Sequence, residues 1–175
     1  MKTLTEAGFA KKALSEVEGS FDVFKRIGSD WMLVTAGNEG SFNTMTASWG
    51  FAGIMWNKPC AVTVIRPQRY TKEFIDREET FTLSFYPEAY RKALGICGSK
   101  TGRDCDKPAL AGLTPISAES SVAFEEAELV LVCRKLYAGT LGAEYILVKS
   151  IISEQYAAGD FHTAYIGEII GVYTK

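Results

Sequence analysis

Short apolar or alternating segments, separated by turn residues, divide most of the chain into β-prone stretches. Residues 31–36 are apolar, turn residues at 37–40 interrupt them, and a second arm extends over 42–55, a pattern typical of a hairpin. Further strands are predicted at 61–65, 81–86, 122–124, 129–137, 145–152 and 162–173. Because side chains alternate between the two faces of a strand, one face of the last strand is expected to carry Tyr165, Gly167, Ile169 and Gly171.

Helix signals occur between these strands but do not alternate regularly with them. Thr71 is a candidate N-cap for a helix over 71–77. A second helix is predicted over 87–96, followed by a polar loop at 98–108. A doubly wound parallel sheet would need regular βα repeats, so the pattern argues against that architecture.

The rest of the sequence predicts a short N-terminal arm and a single domain. Residues 1–28 are mixed in charge and predict an N-terminal arm with a helical turn or two, and no repeat or linker marks a domain boundary. We therefore expect one mainly-β (α+β) domain over residues 1–175, an antiparallel barrel, closed or partly closed, with peripheral helices.

Composition narrows the class of protein. The chain has 175 residues, of which 47% are hydrophobic and 12% aromatic, as in a globular domain. Its 19 basic and 21 acidic residues give a net charge of −2, which disfavours nucleic-acid binding. No apolar run reaches the about 18 to 20 residues of a membrane span, and the first residues lack an apolar signal segment. These features predict a cytoplasmic protein.

Cysteine and histidine usage argues against a metal site. The four cysteines have no CxxC spacing and the chain has one histidine, so no metal is expected. Cys60 and Cys133 lie in apolar strand patterns and should be buried. Cys97 and Cys105 lie in a glycine-rich stretch and are candidates for reactive thiols.

The first candidate site is the strand over residues 43–50. Its small polar side chains would let a flat heteroaromatic ring approach the backbone, and Trp49 could stack on that ring. The alternative is a hairpin strand with a solvated Thr/Ser face. The candidate residues are Asn43, Thr44, Met45, Thr46, Ala47, Ser48 and Trp49.

The second candidate site is the turn that follows about twenty residues later. Arginine forks, hydroxyls and amides at a helix start suit a phosphate group. Ion pairing with the acidic residues that follow, such as Glu73 and Asp76, explains the same charges equally well. The candidate residues are Arg66, Arg69, Tyr70, Thr71 and Lys72.

Two further residues are candidates from loops. Lys100 could reach a ligand from the side, although a solvated loop is the alternative, and residues 95–102 lack the spacing of a nucleotide P-loop. His162, the only histidine, could donate a proton or contact the ring of a ligand. The alternative is that this histidine has only a structural role. A serine hydrolase is disfavoured because no GxSxG motif is present.

Taken in order along the chain, these motifs resemble the flavin reductase-like family of FMN-binding split-barrel proteins, which includes flavoredoxin. The resemblance covers about residues 30–171. Besides 43–49 and 66–71 it includes the motifs at 106–114, 126–127 with Cys133, 159–162 and 166–169.

The resemblance implies a split β-barrel with Greek-key-like connections that binds FMN without a covalent bond, as a homodimer. It places residues 43–49 along the flavin ring, Arg69 and Thr71 near the phosphate, and Lys100 and His162 beside the ring. Phe161 separates Asp160 from His162 where many members have Gly-Asp-His. Trp49 is bulkier than in many free-flavin reductases, which favours a flavoredoxin-type protein that retains FMN.

The function implied is an FMN oxidoreductase in which NAD(P)H passes a hydride to flavin N5 and the reduced flavin serves an acceptor. Backbone amides and Lys100 are expected to stabilise the reduced flavin. Two alternatives remain: an electron-transfer protein without NAD(P)H activity, possessing a protein redox partner, and a module that binds another ligand such as haem.

Overall fold

The computed structural model covers residues 1–175 and contains ten β-strands and four α-helices. The strands are β1 (Ala10–Lys12), β2 (Met32–Asn38), β3 (Ser41–Ala47), β4 (Gly50–Met55), β5 (Lys58–Ile65), β6 (Thr80–Phe85), β7 (Pro115–Ala118), β8 (Ser121–Phe124), β9 (Leu129–Thr140) and β10 (Thr163–Thr174). The helices are α1 (Thr71–Arg77), α2 (Arg91–Ser99), α3 (Lys107–Ala111) and α4 (Ser150–Gln155). Single helical turns lie at Leu14–Glu16, Glu18–Ser20, Phe24–Ser29, Glu88–Tyr90 and Ala143–Tyr145.

One antiparallel sheet organises the molecule, with the strand order β3-β2-β6-β9-β10-β5-β4 and β1 added beside β10. β3 and β4 stand at opposite ends of this order, yet only Ser48 and Trp49 connect them. Three Cα–Cα steps span at most about 11 Å. The sheet must therefore curl until its two ends meet, which leaves a split between β3 and β4.

Two hydrophobic clusters fill the two sides of the curled sheet. The inner cluster takes alternate residues of the long strands, for example Val34 of β2 and Leu131 of β9, together with Phe74 and Ile75 of α1. The outer cluster takes the intervening residues, such as Leu33, and packs them against α2 and the β7–β8 hairpin. In β6 the sequence shows this period of two, because Phe81, Leu83 and Phe85 alternate with Thr82 and Ser84.

The predicted mainly-β antiparallel fold with peripheral helices is confirmed, and several elements differ in detail. The predicted arm over 42–55 is two strands, because the chain turns at Ser48–Trp49. Strands β1 and β7 were not predicted; they are short, at three and four residues, and too brief to show alternation.

The strand predicted at 145–152 is wrong. Those residues form the end of a helical turn, irregular chain and the start of α4, and most of their apolar side chains are exposed, Leu147 by 88%. An apolar run without a sheet neighbour to pair with does not form a strand, and the run itself carries no information about pairing.

The last strand follows the predicted alternation only in its first half. Tyr165 and Ile169 contact the inner cluster, but register shifts at Ile166/Gly167 and Ile169/Gly171 interrupt the pairing with β9. After the second shift Val172 takes the inner side and Gly171 turns towards Val132 of the outer cluster. The prediction that Gly171 shares the face is corrected by this β-bulge.

Gly167 provides a test of the packing inside the curled sheet. A Cβ at this position would lie 2.7 Å from Phe81 Cζ and 2.8 Å from Cys133 Cβ. We expect Gly167→Ala to lower the free energy of unfolding by about 1–3 kcal/mol through overpacking, measured by urea denaturation. Gly53→Ala is the control, since its Cβ would meet nothing within 4 Å. Equal stability of the two variants would contradict this description of the core.

Candidate functional site

A cleft opens at the split between the two ends of the sheet. It consists of two adjoining cavities of about 270 and about 320 Å³ that share Met45, Arg66 and Arg69. The first, here called the aromatic cavity, is lined by Met45, Thr46, Ala47, Ser48, Trp49, Val64, Arg66, Arg69 and His162. The second, here called the basic cavity, is lined by Met45, Arg66, Gln68, Arg69, Tyr70, Thr71, Ser99, Lys100, Thr101 and Lys107.

A tight turn brings the two arginines to the cleft. The Arg69 amide donates to the Arg66 carbonyl over 3.1 Å, and Pro67 occupies the second position, as is favoured in a β-turn. Arg66 is neutralised, since its guanidinium forms an ion pair with Asp160 and also donates to the Gln155 carbonyl.

Arg69 has no carboxylate partner. Its Nη1 donates to the Gly98 carbonyl over 2.8 Å, and the side chain is half-buried. Burial lowers the pKa of Arg69, and the neighbouring Arg66 lowers it further. Arginine keeps its charge in spite of this lowering, and an anion at this place would stabilise the guanidinium.

Lys107 is a buried cation that reasoning from sequence did not select as a site residue. Only 3% of it is exposed, and its Nζ donates to the carbonyls of Thr44 and Cys97. Burial lowers the pKa of Lys107, and no carboxylate pairs with it. Buried lysines without a counter-charge are costly, so this one indicates an anionic ligand.

A signal for Lys107 existed in the sequence. Asp106 caps α3 by accepting from the Ala109 amide over 3.1 Å, and Pro108 follows in the first turn. Asp-Lys-Pro thus marks a helix start. A lysine in the first turn opposes the helix dipole, and such an unfavourable placement is a reason to ask what the cation does.

The basic cavity accordingly carries three cations without carboxylate partners. Arg69 and Lys107 are joined by Lys100, which directly follows α2 and makes no ion pair. Thr71 adds a buried hydroxyl, which accepts from Asn43 Nδ2 over 2.7 Å. This excess of positive charge beside a hydroxyl matches a phosphate dianion.

The aromatic cavity is bounded by an open sheet edge. β3 pairs only with β2, so the N–H and C=O groups of alternate residues along its other edge face the split. Trp49 is 44% exposed, and its ring lies 5.1 Å from that of His162, centroid to centroid. A planar ligand could therefore meet backbone donors and acceptors on one side and aromatic rings on another.

His162 is neutral at neutral pH. It is 7% exposed, and its Nδ1 lies 2.9 Å from the Tyr156 hydroxyl. Burial, with a smaller contribution from Arg66, lowers the pKa of His162 to about 4. Because the unfolded chain takes up the proton first, folded stability is lost as pH falls from about 6.5 towards about 4.

The structure gathers most of the residues selected from sequence into the cleft and leaves three outside it. Asn43 lines a neighbouring cavity, Thr44 is fully buried, and Lys72 pairs with Asp76. The residues in the cleft are Met45, Thr46, Ala47, Ser48, Trp49, Arg66, Arg69, Tyr70, Thr71, Lys100 and His162.

Two threonine hydroxyls of β3 bond to groups inside the protein. Thr44 Oγ1 bonds to Thr35 Oγ1 over 2.9 Å, and Thr46 Oγ1 donates to the Leu94 carbonyl over 2.5 Å. Thr71 also does not act as the predicted N-cap; it is the first residue of α1, and no side chain caps that helix. The cleft therefore offers the backbone edge of β3, the group that a planar ring was expected from the sequence to meet.

The cysteines make no disulfide. Cys60 and Cys133 are buried as predicted. Cys97 is not a loop thiol: it lies in α2, is buried, and burial raises its pKa to about 11, which argues against reactivity. Cys105 is half-buried.

The sequence profile described as "Flavin reductase like domain" matches residues 24–175. This chain belongs to the flavin reductase-like family. No curated protein sequence matches the chain. None of its helices combines the length and apolar character that crossing a membrane requires.

Solved structures share the fold at low sequence identity. An FMN-binding domain of a flavin reductases-like enzyme from Shewanella baltica OS155 aligns with a TM-score of 0.69 and 19% identity, covering 95% of this chain and 77% of that one. Flavoredoxin of Desulfovibrio vulgaris (Miyazaki F) aligns with a TM-score of 0.66 and 23% identity over the same shares, 95% and 77%. FMN-binding protein from Thermus thermophilus with bound 1-cyclohex-2-enone aligns with a TM-score of 0.65 and 21% identity, covering 82% and 69%. These likenesses confirm the split-barrel fold.

The ionisation of His162 can be measured directly because the chain has one histidine. We expect its imidazole proton resonances in ¹H NMR spectra of the flavin-free protein to titrate with a midpoint near pH 4, since burial disfavours the imidazolium. The urea-unfolded chain is the control and should titrate near the ordinary value of about 6.5. A midpoint near 6.5 in the folded protein would contradict the geometry described for this ring.

Proposed function

We propose that this protein is an FMN-binding oxidoreductase that takes electrons from NAD(P)H. The observation that carries the proposal is the pairing of two unlike cavities in one cleft. Three cations without carboxylate partners line one cavity, while an open strand edge and two aromatic rings bound the other. FMN combines the same two features, a phosphate tail and a planar ring with donors and acceptors along its edge.

The basic cavity would hold the phosphate. Arg69, Lys100 and Lys107 would supply charge and N–H donors, and Thr71 would supply a hydroxyl. Arg66 forms an ion pair with Asp160, so it would hold the segment around Asp160 in place rather than neutralise the phosphate. Lys72 has no part, because its Nζ lies 2.6 Å from Asp76 Oδ2.

The aromatic cavity would hold the isoalloxazine ring. Backbone groups between Met45 and Ser48 would meet the polar edge of the ring, and Trp49 with His162 would shield it from water. When bound, FMN would supply the redox chemistry, accepting a hydride at N5 and passing electrons to an acceptor. The protein would orient the ring, and donors at the strand edge would stabilise the charge that reduction adds.

A second candidate function is electron transfer without NAD(P)H activity. The observation that favours it is the position of Trp49, whose partly exposed ring contacts His162 in the wall of the aromatic cavity. A bulky side chain there would hold FMN as a prosthetic group and narrow the space for a nicotinamide. Electrons would then come from a protein donor.

The proposal includes a homodimer. A row of side chains runs in register across four strands on the outside of the barrel, and it consists of Tyr137, Ile166, Val62 and Phe51. Beyond β9, Tyr145 and Leu147 are 79% and 88% exposed. Tyr137 and Phe51, at the two ends of the row, are 49% and 60% exposed, whereas Val62 is buried. Exposed apolar side chains in this number are typical of a subunit interface.

Discrimination between FMN and riboflavin tests the phosphate assignment. We expect Lys107→Met to weaken FMN binding by about tenfold to a hundredfold, because a charged donor to the phosphate is lost, and to leave riboflavin affinity nearly unchanged. Fluorescence titration of both flavins measures this. Lys92→Ala, which removes an exposed lysine of α2, is the control and should bind both as the unaltered protein does. Equal losses for both flavins would refute the assignment of Lys107.

Anaerobic reduction separates the two candidate functions. We expect the purified protein, loaded with FMN, to show a flavin spectrum that NADH or NADPH bleaches within a stopped-flow experiment. Dithionite is the control for complete reduction. Bleaching by dithionite but by neither nicotinamide would favour the electron carrier, and a colourless protein that quenches no FMN fluorescence would exclude both.

The dimer is tested by a charge placed in the exposed apolar segment. Leu147→Glu should convert the dimer to a monomer in analytical ultracentrifugation, because an unpaired carboxylate would be buried at the interface. Leu110→Glu is the control, since Leu110 is also exposed, at 58%, but lies on α3. A monomeric unaltered protein, or dissociation by both variants, would contradict the proposed interface.

A further inference from the structure

The hydrogen bond between Tyr156 and His162 restricts where the imidazole can carry its proton. The Tyr156 hydroxyl lies 2.9 Å from His162 Nδ1, and both residues are buried, with 6% and 7% exposed. Burial raises the pKa of Tyr156, so the phenol keeps its proton at neutral pH. His162 is neutral there too, and one of its two ring nitrogens therefore bears a proton.

The phenol has one acceptor within reach in the chain. The Tyr156 hydroxyl makes no hydrogen bond other than that with His162. If Nδ1 carried the proton and donated it to the phenol oxygen, the buried phenol proton would have no acceptor, which is costly. If Nδ1 is bare, the phenol donates to it and both groups are satisfied. The proton of the imidazole then resides on Nε2.

Nε2 is the ring nitrogen left for a ligand. It makes no hydrogen bond within the chain and is not among the buried polar atoms that lack partners. His162 lines the aromatic cavity, beside Trp49. The proton on Nε2 is thus available to an acceptor atom in that cavity.

Neighbouring rings and charges hold Tyr156 in place. Phe161 stacks on it with centroids 4.6 Å apart and an interplanar angle of 22°, and the Arg66 guanidinium lies 5.3 Å from its ring centroid. Arg66 is itself bound to Asp160. Phe161, the residue that separates Asp160 from His162, is therefore part of the support for Tyr156.

We infer that Tyr156 is a positioning residue that fixes neutral His162 with its proton on Nε2, so that the imidazole acts as a hydrogen-bond donor into the aromatic cavity. This inference deepens the proposed function and rests on it for the identity of the acceptor, a carbonyl oxygen or bare nitrogen of the flavin ring. A neutral donor can stabilise negative charge on the ring without releasing its own proton to the solvent.

The tautomer is measured on the flavin-free protein by ¹⁵N NMR with labelled histidine, at pH 7. The single histidine should show a protonated Nε2 and a bare Nδ1, assigned through the coupling of the ring hydrogen on Cδ2 to Nε2. Tyr156→Phe keeps the ring that contacts Phe161 and Arg66 but removes the hydroxyl, and it should shift the population towards the Nδ1–H form. Tyr173→Phe is the control, because it removes a buried tyrosine hydroxyl that bonds to Glu119 instead; its histidine spectrum should be unchanged.

Each result decides the inference. A predominantly Nδ1–H or doubly protonated ring in the unaltered protein would overturn it whether or not the variant folds, and so would a tautomer ratio that Tyr156→Phe leaves unchanged.

With FMN added, the Nε2 resonance should move and Tyr156→Phe should bind FMN about threefold to tenfold more weakly, the effect of one hydrogen bond. FMN binding without movement of that resonance would refute the donor role. Failure of FMN to bind at all would refute the proposed function. The tautomer would still be decided in that case, because it is measured on the flavin-free protein.

Discussion

The two-residue connection Ser48–Trp49 is the constraint on which the rest of the structure depends. It joins strands at opposite ends of the sheet order, so the sheet has to curl and its interior has to be filled from one set of alternating residues. The same closure leaves β3 with an edge that no strand covers. The cleft lies along that edge, and the connection itself supplies Ser48 and Trp49 to its wall.

Charge distribution follows from this geometry. The turn at Arg66–Arg69 and the first residue of α3 both lie near the open edge of β3, where Lys107 donates to the Thr44 carbonyl. Arg66 is matched by Asp160, whereas Arg69, Lys100 and Lys107 have no acidic partner. Concentrating unmatched cations in one cavity costs stability in the flavin-free protein, which is a common property of binding sites. The net charge of −2 gives no hint of this local excess.

Much of the candidate site could be predicted from the sequence, because its residues are close in the chain. Residues 45–49 and the 66–71 turn are each local, and both reached the cleft. Lys107 was missed because its importance comes from burial, which depends on the packing of α3 against α2 and on the contact of Lys107 with Thr44 of β3. Thr44 and Lys72 were selected by residue type, but the bonds of Thr44 to Thr35 and of Lys72 to Asp76 engage their side chains inside the protein.

The sequence by itself determined the class of fold, since short apolar or alternating segments separated by turn residues favour an antiparallel sheet. It also determined the local turns, because Pro67 fixes its own φ and Gly37 allows the positive φ of 117° that its turn requires. Only the tertiary structure decided which apolar runs become strands, where β10 changes face, and which cations share a cavity. Those outcomes depend on pairing and proximity between residues distant in the chain, and a linear pattern does not contain that information.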